Sequence, residues 1–321
     1  MDTLRTAGRV LGASALAGLA VLLLADLPGL DRGTPFAQLV AFRPVVLAVT
    51  GAVLAVPIVV TLLRRRARWG VAALVAVLLL GAGTVATRVL PDGAGAGTPL
   101  TVLTANVYDG EASVHALAAL VADERPDLVS LPEAGADYRA RLAPLVEPLG
   151  YRVFGSTGEG VPDVDGVSAL ARTGLGDLSV SVDETTPFPS VVVTGGALGG
   201  VRFVAFHSFA PVPARIAQWR IDLAHLSRWC AGGGPAIVAG DFNATLDHSP
   251  FRAGTAGCAD AAEQAGTGLV GTWPARLPRW LGAQIDHVVV TDGITTRSAE
   301  IRDLPGSDHR AVLARLVVPA G

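Results

Sequence analysis

Residues 236–243 read Ala-Ile-Val-Ala-Gly-Asp-Phe-Asn, and this stretch decides the fold. Its four apolar residues predict a short buried strand, and Gly240-Asp241-Phe242-Asn243 follows at the end of that strand. Open α/β folds place their functional sites at the carboxyl ends of strands. We therefore expect an α/β domain with Asp241 and Asn243 at its site.

The same arrangement, an apolar run with a polar end, recurs along residues 98–321. Further strands are predicted at 100–107, 128–131, 168–171, 190–194, 201–207, 285–290 and 311–318. The polar residues at or near their ends are Asn106, Glu133, His207, Asp286, Asp308 and His309. Helical patterns cover 113–124, with Ser113 as a candidate N-cap, and 213–230. About eight strands with interspersed helices indicate an α/β sandwich.

These segments, taken in order, resemble the motifs of the endonuclease/exonuclease/phosphatase superfamily, over about residues 100–318. The matching pieces are Asn106-Val107, the run 126–133 that ends in Pro132-Glu133, His207, Gly240-Asp241-Phe242-Asn243, Ile285-Asp286-His287-Val288 and Ser307-Asp308-His309. The resemblance implies a four-layer sandwich of two packed β-sheets flanked by helices. It also implies hydrolysis of phosphoesters with Mg²⁺ or Mn²⁺.

The resemblance assigns a role to each residue type. The expected metal ligands are Glu133, Asp308 and Asn106, since Mg²⁺ prefers oxygen ligands. The expected catalytic residues are His207, Asp241, Asn243, Asp286 and His309. Asp241 orients or deprotonates water, Asp286 fixes the tautomer of His309, and His207 is the leaving-group acid. His309 acts as a base or as a cation, and both roles stay open.

Substrate contacts are expected from Asn106, Asn243 and Arg172. Arg172 stands where the family often has a Ser-Arg pair, although a surface ion pair is the simpler interpretation. Pro132 replaces the glutamine that usually precedes the metal-binding glutamate. His287 neighbours Asp286 on one strand and should point to the opposite face, so we interpret it as structural.

The N-terminal region is apolar and predicts a membrane domain over residues 1–90. Three apolar stretches predict transmembrane helices at about 10–30, 44–63 and 69–88. The first also fits a signal peptide, but two more stretches follow directly and favour an uncleaved helix. A Gly-rich linker, 91–99, leads to the catalytic domain at 100–318.

Arginine placement predicts the orientation, because basic loops stay in the cytoplasm. Arg64, Arg65, Arg66 and Arg68 lie between the second and third stretches. Three crossings from a cytoplasmic N-terminus then leave the catalytic domain outside. The expected localisation is a multi-pass protein of the cell membrane, with an extracytoplasmic catalytic domain and the lipid bilayer as a partner.

The net charge and the cysteines limit which further classes of substrate and partner are expected. Residues 98–321 carry a net charge of −8, which disfavours tight binding of a long duplex. The substrate is expected to be a lipid headgroup, a small organophosphate or a nucleic acid, and the sequence indicates no protein partner. Cys230 and Cys258 fit either a disulfide or two buried thiols. The alternative function is a catalytically idle, membrane-tethered ligand-binding module of the same fold.

Overall fold

The structure, a computed structural model, describes residues 2–63 and 68–319. Within these residues the N-terminal part contains four α-helices: α1 (Asp2–Leu23), α2 (Phe36–Val40), α3 (Arg43–Leu63) and α4 (Arg68–Ala86). One helix among the described residues, Trp69–Val89, is long and apolar enough to cross a membrane. The apolar parts of α1 and α3 are shorter, Ala13–Leu23 and Arg43–Ala55.

Of the three predicted spans, the structure therefore supports only the third as a membrane helix by length and composition. The orientation prediction depends on Arg64, Arg65 and Arg66, which lie outside the described residues.

The rest of the described chain forms two mixed, six-stranded sheets. The strands of sheet 1 are β1 (Thr98–Thr104), β2 (Leu128–Pro132), β3 (Tyr151–Gly155), β4 (Val167–Arg172), β11 (Thr295–Asp303) and β12 (Arg310–Val318), in the order β11-β12-β1-β2-β4-β3. The strands of sheet 2 are β5 (Leu178–Asp183), β6 (Ser190–Gly195), β7 (Arg202–His207), β8 (Ala236–Asp241), β9 (Cys258–Asp260) and β10 (Asp286–Thr291), in the order β5-β6-β7-β8-β10-β9.

Helices cover the outer face of each sheet. They are α5 (Val114–Glu124) and α6 (Ala136–Val146) on sheet 1, and α7 (Ile216–His225), α8 (Ser227–Cys230) and α9 (Ser249–Gly254) on sheet 2, while the short α10 (Ala261–Gln264) follows β9. Ser113 caps α5, since its Oγ accepts from the Ala116 amide at 3.2 Å. The helix predicted at 213–230 begins later and breaks at Leu226 into α7 and α8.

Three apolar layers hold these elements together. One lies between the two sheets and includes Val102, Phe203 and Ile237. The second joins sheet 1 to α5 and α6, and the third joins sheet 2 to α7, α8 and α9. Two packed sheets flanked by helices confirm the predicted four-layer sandwich.

Two connections bear on the predictions. The linker residues 91–97 are exposed, yet two of their amides are bonded: Asp92 N donates to Gln264 O and Gly95 N to Thr295 Oγ1, both at 2.9 Å. Cys230 and Cys258 form a disulfide that joins α8 to β9. Of the two interpretations of the cysteines, the structure has the disulfide.

Candidate active site

Sheet register brings three predicted residues side by side in sheet 2. In the parallel pair β7 and β8, His207 lies opposite Asp241. In the antiparallel pair β8 and β10, Asp286 lies opposite Asp241. The carboxyl ends of β7 and β8 and the amino end of β10 thus form one edge, and all three side chains are buried there.

Sheet 1 supplies the other residues from a matching edge. Asn106 follows β1, Glu133 follows β2, and Asp308 and His309 precede β12. β12 pairs with β1 so that Val312 lies opposite Thr104, which brings the start of β12 to the end of β1. The predicted residues of both sheets therefore meet at one end of the sandwich.

The turns after these strands have unusual backbone angles. Glu133, Asn243, Tyr108 and Asp109 have φ of 61°, 47°, 52° and 47°. A non-glycine residue in this left-handed region costs about 1–2 kcal/mol. Such conformations persist where the surrounding structure fixes them, and they concentrate at functional sites. Here they end the strands abruptly at the point where the polar side chains gather.

The Asn106 amide joins the two sheets. Its Nδ2 donates to Glu133 Oε1 and to Asp241 Oδ2, both at 2.9 Å, and its Oδ1 accepts from the Tyr108 amide at 2.8 Å. The other Glu133 oxygen accepts from the Asp109 amide at 2.6 Å. One fully buried amide thus fixes two carboxylates that come from different sheets.

Asn243 completes the environment of Asp241. The Asn243 amide N–H donates to Asp241 Oδ1 at 2.8 Å, and the side-chain Nδ2 donates to Asp241 Oδ2 at 3.2 Å and to the Ser208 carbonyl at 3.0 Å. Burial raises the pKa of Asp241 to about 7, while the nearby His309 charge opposes that rise. This carboxyl is therefore poised near neutral pH.

Asp286 and His309 form the predicted carboxylate–imidazole pair. His309 Nδ1 donates to Asp286 Oδ2 at 2.9 Å, and His309 Nε2 lies 3.8 Å from Asp241 Oδ2. Burial alone would lower the pKa of His309, but the charges of Asp286 and Asp241 and the hydrogen bond to Asp286 raise it to about 10. His309 is thus an imidazolium at neutral pH.

His207 has the opposite character. Its Nε2 lies 3.8 Å from both Glu133 Oε1 and Asp241 Oδ2, and its ring stacks on Phe188 with 4.4 Å between centroids. Burial and the charge of His309 lower the pKa of His207 to about 3. The ring is therefore neutral at pH 7 and offers a single N–H.

Asp308 lies on the rim of the same cluster. Its Oδ2 accepts from Trp273 Nε1 at 3.0 Å, and its Oδ1 lies 3.8 Å from His309 Nε2. Burial raises the pKa of Glu133, and the charge of Asp308 adds to that rise. The carboxylates of Glu133 and Asp308 therefore lie near enough for their charges to interact.

Two predicted residues lie elsewhere. Arg172 lies at the far end of β4, where it pairs with Asp127 at 3.0 Å, before the start of β2. Because β4 runs antiparallel to β2, its last residue, Arg172, lies at the end of the sheet away from Glu133 and outside the cluster, and its predicted substrate contact stays a prediction. His287 donates from Nδ1 to Asp260 Oδ2 and from Nε2 to the Ala244 carbonyl, both at 2.8 Å, and these contacts fit the predicted structural role.

The sequence pattern assigned no individual role to several supporting residues. Ser307 Oγ donates to the Asn106 carbonyl at 2.7 Å and accepts from the His309 amide at 3.0 Å. Thr272 Oγ1 accepts from the Asp286 amide at 3.2 Å. Thr272, Trp273 and Phe188 lie in loops, where neither alternation nor an apolar run marks a residue that will face the site.

Known proteins resemble this chain in sequence pattern and fold. The model of the Endonuclease/Exonuclease/phosphatase family matches residues 103–309. No curated protein matches the chain.

Three solved structures share the fold. A Bacteroides vulgatus endonuclease/exonuclease/phosphatase has 20% identity, covers 69% of this chain and 99% of its own, and gives a TM-score of 0.53. A Beutenbergia cavernae endonuclease/exonuclease/phosphatase has 20% identity, covers 69% of this chain and 72% of its own, and gives a TM-score of 0.51. D. rerio TDP2, complexed with a single-strand DNA product, has 17% identity, covers 68% of this chain and 99% of its own, and gives a TM-score of 0.51.

Proposed function

Because the chain belongs to the endonuclease/exonuclease/phosphatase family, we propose that it is a membrane-tethered hydrolase of phosphoester bonds that requires a divalent metal ion. One observation carries the proposal. The side chains of Asn106, Glu133, His207, Asp241, Asn243, Asp286 and His309, drawn from both sheets, form a single buried cluster. An idle binding module would not need to hold so many ionisable groups in mutual contact.

The donor set suits a divalent cation. Ligand atoms of Glu133, His207 and Asp241 lie within 4.8 Å of one another, as do those of Asp241, Asp286 and His309. Among the described residues, Asp308 Oδ1 is buried without a hydrogen-bond partner. Oxygen donors in this number suit Mg²⁺ or Mn²⁺. We propose Glu133, Asp308 and Asn106 as the residues that hold it.

A bound cation would supply positive charge that stabilises the phosphoryl oxygens as negative charge grows on them. The chain's own groups supply the rest. Asp241, with a pKa of about 7, is suited to orient a water molecule and accept its proton. The His309 imidazolium stabilises the developing negative charge, and Asp286 holds its ring in place. Asn243 and His207 donate hydrogen bonds without adding charge.

The neutral state of His207 bears on its expected role as leaving-group acid. A histidine with a pKa of about 3 carries no extra proton at neutral pH, so we propose that His207 acts in the free site as a hydrogen-bond donor to a phosphoryl oxygen. Proton donation to the leaving group would require a nearby anion, such as the substrate phosphate, to raise its pKa.

We propose that the helix Trp69–Val89 tethers the catalytic domain to a cell membrane, together with the apolar helices α1 and α3, and that the domain faces outside. The Cys230–Cys258 disulfide supports this side, since disulfides persist in oxidising compartments. The net charge of −8 on residues 98–321 favours a lipid headgroup or a small organophosphate over a long nucleic acid as substrate.

The test uses the full chain in detergent micelles with bis-p-nitrophenyl phosphate. Wild type should release nitrophenol with Mg²⁺ or Mn²⁺ and stop with EDTA, and Glu133→Gln should lose about 100-fold or more in kcat, like other losses of metal-site groups. Glu147→Gln is the control, because Glu147 is an exposed glutamate directly after α6, and its kcat should match that of wild type. Equal, metal-independent release by wild type and Glu133→Gln would favour the idle binding module instead.

A further inference from the structure

The loop after β8 is bonded to the N-terminal part of the chain. Asp247, four positions beyond Asn243, is 1% exposed. Its carboxylate accepts from Arg43 Nη1 at 2.9 Å and from Arg88 Nη1 and Nη2 at 2.8 and 2.9 Å. Arg43 begins α3 and Arg88 follows α4, so one carboxylate is held by two separate N-terminal segments.

The contacts extend along the loop. Arg43 also pairs with Asp26, and we call Asp26, Arg43, Arg88 and Asp247 the Asp247 cluster. Next to it, His248 Nε2 contacts the Ala37 carbonyl at 2.8 Å, and Ser249 Oγ donates to Asp31 at 2.8 Å. Asp247, His248 and Ser249 therefore each bond to a different part of the N-terminal region.

The loop has little freedom between the cluster and the site. Asp241 and Asn243 bond to each other at one end, and the Ala244 carbonyl contacts His287 at 2.8 Å. Only three residues separate Asn243 from Asp247, and within them Thr245 Oγ1 accepts from the Asp247 amide at 3.2 Å. Buried ion pairs often add little net stability, and their best-attested use is to specify one geometry.

We propose that Asp247 is a positioning residue for catalysis: with Arg43 and Arg88 it fixes the Asp241–Asn243 turn, so that the N-terminal helices form part of the catalytic unit. This rests on the proposed hydrolase function. A passive tether would need only the exposed linker, whereas the structure buries one arginine at the start of α3 and another directly after α4 against the catalytic loop.

The experiment compares full-length Asp247→Asn and Arg88→Lys with wild type in micelles. Asp247→Asn removes the charge that both arginines share, and Arg88→Lys keeps a positive charge but loses the two-point contact. Glu124→Gln is the matched control, because Glu124 is likewise held by two arginines, Arg302 and Arg315, both at 2.8 Å, on the opposite sheet. Hydrolysis of bis-p-nitrophenyl phosphate gives kcat and KM. Amide hydrogen exchange of the metal-free protein reports how readily the loop opens.

Asp247→Asn should lower kcat by about 10- to 100-fold with KM little changed, and Arg88→Lys should lower it less. Exchange of residues 241–249 should accelerate in both variants and not in Glu124→Gln. If Asp247→Asn does not fold, the kcat and the hydrogen exchange of Arg88→Lys test the proposal instead. Folded variants with wild-type kcat and wild-type exchange would overturn the proposal. A wild type without hydrolysis would refute the proposed function, while the exchange data would still test the positioning of the loop.

Discussion

Two histidines of the candidate site are held in opposite protonation states by their neighbours. His309 is protonated because the charges of Asp286 and Asp241 surround it. His207 is neutral because it is buried against Phe188 and faces the positive charge of His309. Such separation of pKa values is typical of sites in which two similar groups perform different roles. The separation depends on Asp286, since it alone is hydrogen-bonded to a ring nitrogen of His309 among the described residues.

Replacing Asp286 by Asn should therefore lower kcat by about 100-fold, because His309 loses the partner that orients its ring and favours its charge. Asp260→Asn is the matched control, since Asp260 makes the same kind of contact with His287 at 2.8 Å, outside the cluster. Steady-state kinetics should show a fall in kcat for Asp286→Asn alone. Similar losses in the two variants would mean that the effect is structural.

The pH dependence of stability follows from the same groups. A histidine whose pKa is raised in the folded state binds more protons there, so its stabilisation is complete below the unfolded pKa and is lost as pH rises towards the folded one. For His309 this window runs from about 6.5 to about 10. Metal-free wild type should thus lose thermal stability between pH 7 and pH 10, roughly that window. The Tm of Asp286→Asn should vary less, and parallel Tm curves would contradict this.

At the scale of elements, the disulfide joins two short pieces that have few contacts of their own. Cys230 ends α8 and Cys258 begins β9, an edge strand of three residues, and the two cysteines are 28 positions apart. Closing a loop of this length stabilises the folded state by about 3–4 kcal/mol on the chain-entropy estimate. The Cys230→Ala/Cys258→Ala variant should have a lower Tm, and a reducing agent should lower the Tm of wild type alone. Equal Tm values for wild type with and without reductant would argue against a structural disulfide.

Strand prediction succeeded where burial produces continuous apolar runs. β2 and β8 are buried along their whole length, so their sequences show that burial directly. β5 and β11 were missed for the opposite reason. β5 is an exposed edge strand of alternating Ser and Val, and β11 places Arg and Glu outward, so pairing with β6 and β12 defines these strands.

The site was predictable to the same extent. Polar residues at either end of a buried strand, such as Asn106, Asp241 and Asp286, could be placed in the cluster because their position follows from the strand itself. Arg172 lies outside the cluster because its strand runs antiparallel to β2, a pairing that the local sequence does not specify. The contacts of Thr272 and Trp273 depend on loop conformation, which no periodicity encodes.

At the scale of the whole molecule, residues on the two sides of the predicted linker pack against each other. Residues between α1 and α3 pack on sheet 2: Ala37 is fully buried in the third apolar layer, beside Trp219 and Phe251. Sequence reasoning divided the chain where its composition changes, near residue 91. The composition of each segment follows the solvent that it meets, whereas the packed unit is defined by contacts between residues as many as 226 positions apart in sequence.

This arrangement predicts a context-dependent effect of one substitution. In the full chain Asp247→Asn leaves Arg88 buried without a carboxylate and Arg43 with Asp26 alone, which should cost about 3–5 kcal/mol in the free energy of unfolding. In a chain that begins at residue 98, both arginines are absent and Asp247 meets water, so the same change should cost less than about 0.5 kcal/mol, as at an ordinary surface position. Urea denaturation of the four proteins gives the coupling between the N-terminal segment and Asp247. Equal costs in the two contexts would show that the arginines do not stabilise this loop, and the N-terminal helices would then be a tether alone.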